Sequence, residues 1–404
     1  MSVFDLPIFS CDLTEAFSNI NNCTIQNDRL ATKREIRDQI EYIGGFHSWE
    51  ILSDDIKVIV ISFLDFKSRY ELSKCSKKDN DIEKTVALYL DEISVTGCDS
   101  SDENQQDEDK NVYIHLYFGP KQYPYGFIFI RFFYRPNSTY IESSVIFPQY
   151  KRLRKQYTID NREFEDMATE FVDIWLNRCR NTVKSIDLIC YPYPIDTSPL
   201  IFKNCIKLKV QSDDENILRI WLDKVNQNMQ HIQMASRFYT QNIQLSYDFL
   251  SNPVVKNAKK LHFTFICQFT DQLFLEMKFR KIYCTKVTIT EEAINQYLKR
   301  WANGKGNDDW ELNITLDTDD IIDIGVLLNG LLAKRWDEEF KREQRIFYER
   351  MDYLYMIGSH QYQILNRKVE YTSGSLLICD KRITFIVTGH PFKWKGKTTT
   401  IYSR

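Results

Sequence analysis

Between Trp49 and Lys78 the apolar positions follow a helical period twice, with a polar break between the two runs. Ile56, Ile59, Val60, Phe63 and Leu64 recur at the spacing of one helical face. Ser53 stands before them as an N-cap, and Asp54 and Asp55 sit where carboxylates favour the positive end of the helix dipole. Val58 and Ile61 fall off that stripe, so the predicted helix is apolar around more of its circumference than a surface helix needs. A second apolar face calls for a second partner. Asp65, Phe66 and Lys67 break the pattern, and Ser68 with Glu71 forms a capping box that opens a second helix through Leu72 and Cys75.

On either side the pattern is different. Residues 1 to 45 are polar and mixed, with one helical candidate at Ala31 to Ile43 that Gly44 and Gly45 stop. Asp81 to Ile93 predicts a further helix with Ile82, Val86, Tyr89, Leu90 and Ile93 on one side. Thr96 to Asp109 lacks any large apolar residue and is rich in acids, the composition of a solvated linker. Beyond it, Val112 to Phe118, Tyr125 to Tyr134 and Tyr140 to Phe147 are aromatic and β-branched runs punctuated by Gly and Pro, which predicts an antiparallel meander. Phe127-Ile128-Phe129-Ile130 carries no charge and is expected to be a covered strand, because exposed it would template aggregation.

From Ile159 onward strands and helices alternate. A helix with Phe164, Met167, Ala168, Phe171 and Trp175 on one face leads to a strand at Val183 to Cys190. Strands follow at Ile206 to Val210, Ile232 to Ala235, Leu261 to Ile266, Ile282 to Ile289 and Trp310 to Leu316. Between them lie a helix through Ile217, Ile220, Trp221 and Val225 and one capped by Thr290, with Ile294, Tyr297, Leu298 and Trp301 as its stripe and Gly304 at its end. The strand starts are separated by 23, 26, 29, 21 and 28 residues, the period of leucine-rich-repeat-like solenoids, although no L-x-x-L-x-L-x-x-N signature recurs. The expected architecture is an irregular, mostly parallel curved sheet with helices behind it. Asp319 to Gly358 is expected to be largely helical, with closing strands at Gln361 to Tyr371 and Ser375 to Val387.

Composition limits the chemistry. With 404 residues, 43% hydrophobic and 14% aromatic, the chain folds over most of its length and has room for two or three domains. A formal charge of −3 gives no global footprint for nucleic acid or anionic membranes. The first residues carry no basic region or long apolar core, and no apolar run reaches transmembrane length, which predicts an intracellular chain without a signal peptide or span. The 10 cysteines are scattered without a C-x-x-C pair, so reduced core thiols are expected and no metal or other cofactor. The six histidines stand alone, and no H-E-x-x-H or G-x-S-x-G occurs. PFKWKGKT, from Pro391 to Thr398, mimics a phosphate loop but has proline in place of the first glycine and too few residues after it for the helix that would hold phosphate. Its lysines and Trp394 read as a frayed basic terminus, not as a nucleic-acid platform.

The segment from Trp49 resembles an F-box, the module that docks a substrate receptor onto the Skp adaptor of a cullin-based (SCF) ubiquitin ligase. Leu52, Asp55, Ile56, Ile59, Phe63, Leu64, Asp65, Leu72, Cys75 and Ser76 carry the match, and LDFKSR followed by KCSKKD is similar to nematode-type F-box families. Ser53 and Phe66 stand where prolines are common, and serine can cap the helix that proline would start. Thr288 to Trp301 and Gly330 to Tyr348 resemble the F-box-associated domain that follows the F-box in such receptors. The resemblance implies a small helical F-box at 46–95, preceded by a polar segment at 1–45. An acidic linker at 96–111 would join it to an α+β or α/β substrate-recognition domain at 112–404. Leu52, Ile56, Ile59, Val60, Phe63, Leu64, Leu72 and Cys75 would bind the adaptor, partly while forming the module's own core. The partners implied are a Skp-family adaptor, a cullin through it, and an unidentified protein substrate, with no nucleic acid and no membrane. Such a receptor would be non-catalytic and cytoplasmic or nuclear. The competing expectation is a non-catalytic structural or scaffold protein whose F-box-like hairpin is part of its own core.

Overall fold

The computed structural model describes residues 49–64, 66–73, 75–97, 110–118, 127–146, 153–191, 201–237, 243–304, 310–343, 360–368, 373–388, 391–394 and 397–400. The helical candidate at 31–43 and the acidic stretch 98–109 lie outside them. The chain forms two compact units, residues 1–187 with 191–204, and residues 188–190 with 205–404.

The first unit opens with three short helices, α1 (Asp54–Phe63), α2 (Phe66–Ser73) and α3 (Lys77–Thr85). Ser53 occupies the N-cap of α1 with extended backbone, but its side chain makes no capping bond. Ser76 does cap α3: its hydroxyl accepts from the Asp79 amide at 3.0 Å and donates to the Asp79 carboxylate at 2.7 Å. The capping box expected at Ser68 is corrected, because α2 begins two residues earlier and Ser68 lies inside it.

The helix expected over Asp81 to Ile93 ends at Thr85. Val86, Leu88 and Leu90 are buried while Ala87 and Tyr89 are exposed, so the apolar period there is two and the chain runs on as a strand. That strand, β1 (Glu92–Thr96), pairs antiparallel with β2 (Asn111–Tyr117), Val95 opposite Ile114. The residues on either side of the acidic stretch are therefore neighbours in one sheet, and the boundary between compact units falls near residue 188 and not at 96–111.

β3 (Phe127–Arg135), β4 (Ser138–Ile146) and β5 (Leu153–Asp160) continue the meander. Pro136-Asn137 turns β3 into β4, with Asn137 at φ 60°, a left-handed conformation that asparagine tolerates. α4 (Phe164–Cys179) covers one face, burying Phe171 beside Phe132 and Trp175 edge-on to Phe118. β6 (Ser185–Ile189) completes the order β6-β1-β2-β3-β4-β5.

In the second unit β7 (Lys207–Gln211), β8 (His231–Ala235), β10 (Lys260–Cys267), β11 (Lys281–Val287) and β12 (Glu311–Leu316) run parallel in sequence order, and the two-residue β9 (Gln244–Leu245) joins β10. Parallel neighbours need crossovers. These are α5 (Glu215–Asp223), α6 (Tyr247–Leu250) with α7 (Pro253–Asn257), α8 (Asp271–Glu276) and α9 (Glu291–Ala302). Each strand start lies within two residues of its expected position. Leu208, Val210, Ile232, Met234, Leu261, Phe263, Ile282, Cys284, Leu312 and Ile314 point to the helix side and are at most 3% exposed.

The largely helical stretch expected over Asp319 to Gly358 is corrected as far as residue 343, and residues 344–358 lie outside those described. α10 (Ile324–Leu328) stops where Asn329 turns extended and Gly330 takes φ 69°, a short strand β13 (Ala333–Arg335) follows, and α11 (Glu338–Glu343) is one and a half turns. β13 then pairs with β14 (His360–Leu365), and β15 (Ser373–Cys379) and β16 (Arg382–Val387) form a hairpin turned at Asp380 that closes antiparallel on β12. The mixed sheet of this unit thus reads β13-β14-β15-β16-β12-β11-β10-β8-β7. β7, β8, β10, β11 and β12 succeed one another in parallel, while the block from β13 to β16 is antiparallel where a mostly parallel sheet was expected. At the end of the chain β17 (Pro391–Trp394) and β18 (Lys397–Thr400) pair as a hairpin where a frayed terminus was expected.

Candidate functional site

α1 is two-faced. Ile61 is fully buried in a small core with Leu72, Ile82 and Val86, against which Trp49, Val58 and Leu64 pack. The residues that fell off the stripe therefore face inward. Ile56, Ile59 and Phe63, three of the five stripe positions, are 45%, 53% and 71% exposed, and Ile51 just before the helix is 82% exposed. At 100° per residue, positions 56, 59, 60 and 63 share one side of the helix and 57, 58, 61 and 64 the other. Leu52, Val60 and Leu64 are half-buried, Leu72 is buried and Cys75 is exposed. The eight sequence-nominated residues thus separate into an outward set around Ile56, Ile59 and Phe63, an inward Leu72, and intermediate positions at the edge.

Buried charges hold this arrangement. Lys57, on the inward side of α1 and 2% exposed, lies 3.7 Å from the Asp79 carboxylate and 5.2 Å from the Trp49 ring centroid. The Trp49 indole donates to Asp79 at 2.8 Å. Burial alone would raise the Asp79 pKa, but the hydrogen bonds from Ser76 and Trp49 and the charge of Lys57 outweigh it and hold the carboxyl below its ordinary value. On α2, Arg69 donates to Glu83 at 3.0 Å and to the Val86 and Ala87 carbonyls at 2.7 Å each, satisfying acceptors at the end of α3. Arg178 on α4 reaches the same Glu83 oxygen at 2.5 Å, so the helical module is tied to the meander's own helix. Burial depresses the Arg69 pKa, and Arg178 adds to the effect, against the pull of Glu83. None of Lys57, Arg69, Asp79 and Glu83 was nominated from the sequence. An Arg or Asp inside a helix reads as a solvated position until its partners are known.

What remains solvent-facing on α1 is an apolar strip with carboxylates before it. Asp54 and Asp55 line a shallow groove with Val58, Lys77, Lys78, Asp81, Ile82 and Thr85, and Lys78 pairs with Asp54 at 2.9 Å. Among the described residues nothing covers these aligned apolar side chains, and exposed apolar patches of this kind are the ones partner surfaces cover.

Among the described residues no group of three His, Cys, Asp or Glu side chains is arranged to hold a metal ion, and no helix is long and apolar enough to cross a membrane. Two of the histidines expected to stand alone are neighbours: His231 on β8 faces Lys260, and His262 on β10 faces Gln233, on one side of the parallel sheet.

Comparison with known proteins agrees with the placement of these features. Residues 49–91 match the F-box domain family, a stretch that runs from Trp49 through α1, α2 and α3 to just before β1. Residues 250–311 match the F-box associated family FBA_2, a stretch that spans α7, β10, α8, β11 and α9. Thr288 to Trp301 falls inside that match and Gly330 to Tyr348 outside it. The chain is also 25% identical over 378 residues to an uncharacterized F-box protein of Caenorhabditis elegans, covering 93% of this chain and 97% of that protein. No solved structure matches the chain significantly.

Proposed function

Starting from a chain that carries an F-box and an F-box associated region and is homologous to a nematode F-box protein, we propose that it is the substrate-recognition subunit of an SCF-type ubiquitin ligase. The F-box takes a Skp-family adaptor, and through it a cullin, while the second unit takes a protein target. Such a subunit does no bond chemistry itself; it raises the effective concentration of its target at the ligase. Residence in the cytoplasm or nucleus follows from that role.

The observation that carries this reading is the exposure of Ile56, Ile59 and Phe63 on a helix whose other side is already satisfied by Ile61, Leu72 and Ile82. A hairpin serving only its own core would have no need of the outward set. We assign Ile56, Ile59 and Phe63 to the centre of the adaptor interface, with Ile51, Leu52, Val60 and Leu64 at its margin and Cys75 further along. Leu72 supports the interface from inside the module.

The test is capture of purified Skp-family adaptor by the full chain. Ile59→Asp with Phe63→Asp should abolish capture while leaving the melting temperature unchanged, since both side chains are already in water. Leu72→Asp should lose capture and folding together. Failure of the unsubstituted, folded chain to retain adaptor would defeat the proposal. A fall in melting temperature with the outward pair would favour the scaffold reading.

A further inference from the structure

The parallel sheet of the second unit has two chemically different sides. One is the apolar helix side described above. On the other, pairing brings together Lys207, His231, Lys260 and Lys281 in one row, with Glu311 at its end. The next row is Lys209, Gln233, His262, Tyr283 and Asn313, closed by Thr384 on β16. Directly paired residues share a face of a sheet, so both rows look the same way. Lys260 and Tyr283 are exposed and the other members of the rows are half-buried. Arg382, exposed and bonded to the Asn313 side chain at 3.1 Å, adds a cation beside the second row. These two rows and Arg382 thus bring five cations together with one carboxylate, Glu311.

Burial, and next to it the charges of Lys260, Lys207 and Lys209, hold the His231 imidazole down to about 4, and burial with the charges of Lys260 and Lys209 lowers His262. The His231 Nε2 atom is buried and makes no hydrogen bond. His262 packs edge-on against the Tyr283 ring at 4.4 Å, giving the cationic rows one aromatic wall.

We propose that this face is the target-binding surface and that it takes an acidic, extended protein segment laid across the strands. The inference rests on the receptor reading above and supplies its ligand class and residues. Neighbouring strands lie about 4.8 Å apart, so the row from Lys207 to Lys281 covers about 14 Å. An extended chain places same-side residues every ~6.8 Å, so carboxylates at alternate positions of a short segment span the row. Net charge complementarity selects an acidic partner and penalises a basic one. A nucleic-acid strand would also meet the lysines, but its bases would find in these rows a single exposed aromatic, Tyr283, and not a succession of stacking platforms.

The experiment uses the full chain and fluorescence anisotropy with a labelled peptide alternating Glu and Ser, its Gln-Ser analogue, and a short oligothymidylate. The acidic peptide should bind at low salt and weaken as salt rises. Lys209→Glu with Lys260→Glu should weaken it roughly tenfold, the product of two surface ion pairs turned repulsive at a few-fold each. The melting temperature should stay unchanged, since both side chains reach solvent. The inference is overturned if the acidic peptide fails to bind, if the Gln-Ser analogue binds as well, if the charge reversals have no effect, or if oligothymidylate binds tighter through the same lysines. It also falls if the peptide binds only after Asp99, Asp102, Glu103, Asp107, Glu108 and Asp109 are changed to Asn and Gln, which would make the chain's own acidic stretch the occupant. Adaptor capture on the same preparation separates the two claims. Capture without peptide binding removes this inference alone, and peptide binding without capture removes the ligase reading alone.

Discussion

Asp271, the first residue of α8, accepts hydrogen bonds from both the backbone amide and the hydroxyl of Thr290, at 2.9 and 2.7 Å, and Thr290 is the N-cap of α9. The same relation recurs along the parallel sheet. Glu215 at the start of α5 accepts from the amide and hydroxyl of Ser246, the cap of α6, at 2.8 Å each, and Glu291 at the start of α9 accepts from the amide of Asp323, the cap of α10, at 3.3 Å. A carboxylate at the positive end of one helix thus fixes the capping residue of another further along the chain. Burial would raise the Glu215 pKa, yet the bonds from Ser246 and the neighbouring Arg219 hold it below its ordinary value.

Replacing Asp271 by Ala should therefore cost about 1–2 kcal/mol, the scale of a lost cap plus a weakened hydrogen bond, even though the side chain is near the surface. Urea unfolding of the full chain checks this. A loss no larger than that of an exposed Asp→Ala control would show that the relation is incidental.

Gly374 on β15 backs onto Phe385, which is itself buried and edge-on to Trp301 at 4.9 Å. A Cβ built on Gly374 would sit 2.3 Å from a Phe385 ring carbon. Gly374→Ala must then push the ring off Trp301, at a cost of about 1–3 kcal/mol for overpacking a core. The change should also alter near-ultraviolet circular dichroism, which reports the Trp301 environment. Adaptor capture should be unaffected, since α1 belongs to the other compact unit.

These examples show what the sequence could reveal. The parallel strands were legible because each is a short apolar run punctuated by caps such as Thr290, and their starts shift by at most two residues. The orientation of α1 was not, because a helix that is apolar on both sides carries no mark of which side is inside. The deciding residues, Leu72, Ile82 and Val86, lie later in the chain. Nor was β1, because the stretch before it fits two periods: Tyr89 and Ile93 fit a helical stripe with Val86 and Leu90, while Val86, Leu88 and Leu90 fit an extended chain. Asp319 to Glu343 failed through its turn chemistry at Asn329-Gly330. The cationic face was invisible for a different reason. His231 and His262 are distant in sequence, and only the pairing of β8 with β10 makes them neighbours.

That pairing has a pH signature. His231 is held at about 4 in the folded chain, while its ordinary value is 6.5. Between those values the unfolded chain binds more protons than the folded one, so stability falls as pH drops from the unfolded value through the folded one and levels off below it. The lowered His262 acts in the same direction. His231→Gln should remove part of the loss, about 1–2 kcal/mol once solvent screening is allowed for. Urea midpoints at about pH 7.5 and about pH 5 measure it. An equal acid loss in the wild type and His231→Gln would contradict the prediction.

Glu83 joins three elements through one carboxylate, taking Arg69 of α2 at 3.0 Å and Arg178 of α4 at 2.5 Å while itself lying on α3. Its residue is 6% exposed and Arg69 3% exposed, so water cannot replace a lost partner cheaply. Glu83→Gln leaves two guanidiniums facing each other across a neutral amide, and the expected cost is about 3–5 kcal/mol, as for other half-emptied buried ion pairs. Arg69→Met in the Glu83→Gln background should cost less than the two single changes added together, because the second substitution removes a repulsion the first created. Arg69 also holds the Val86 and Ala87 carbonyls, so the double variant should not recover full stability. Chemical unfolding gives the coupling, and adaptor capture gives its consequence. If the Glu83→Gln chain melts below the assay temperature, capture should vanish although Ile56, Ile59 and Phe63 are untouched. If it stays folded and still captures adaptor like wild type, the outward face of α1 is held by its apolar core alone, and Glu83 has only a local role.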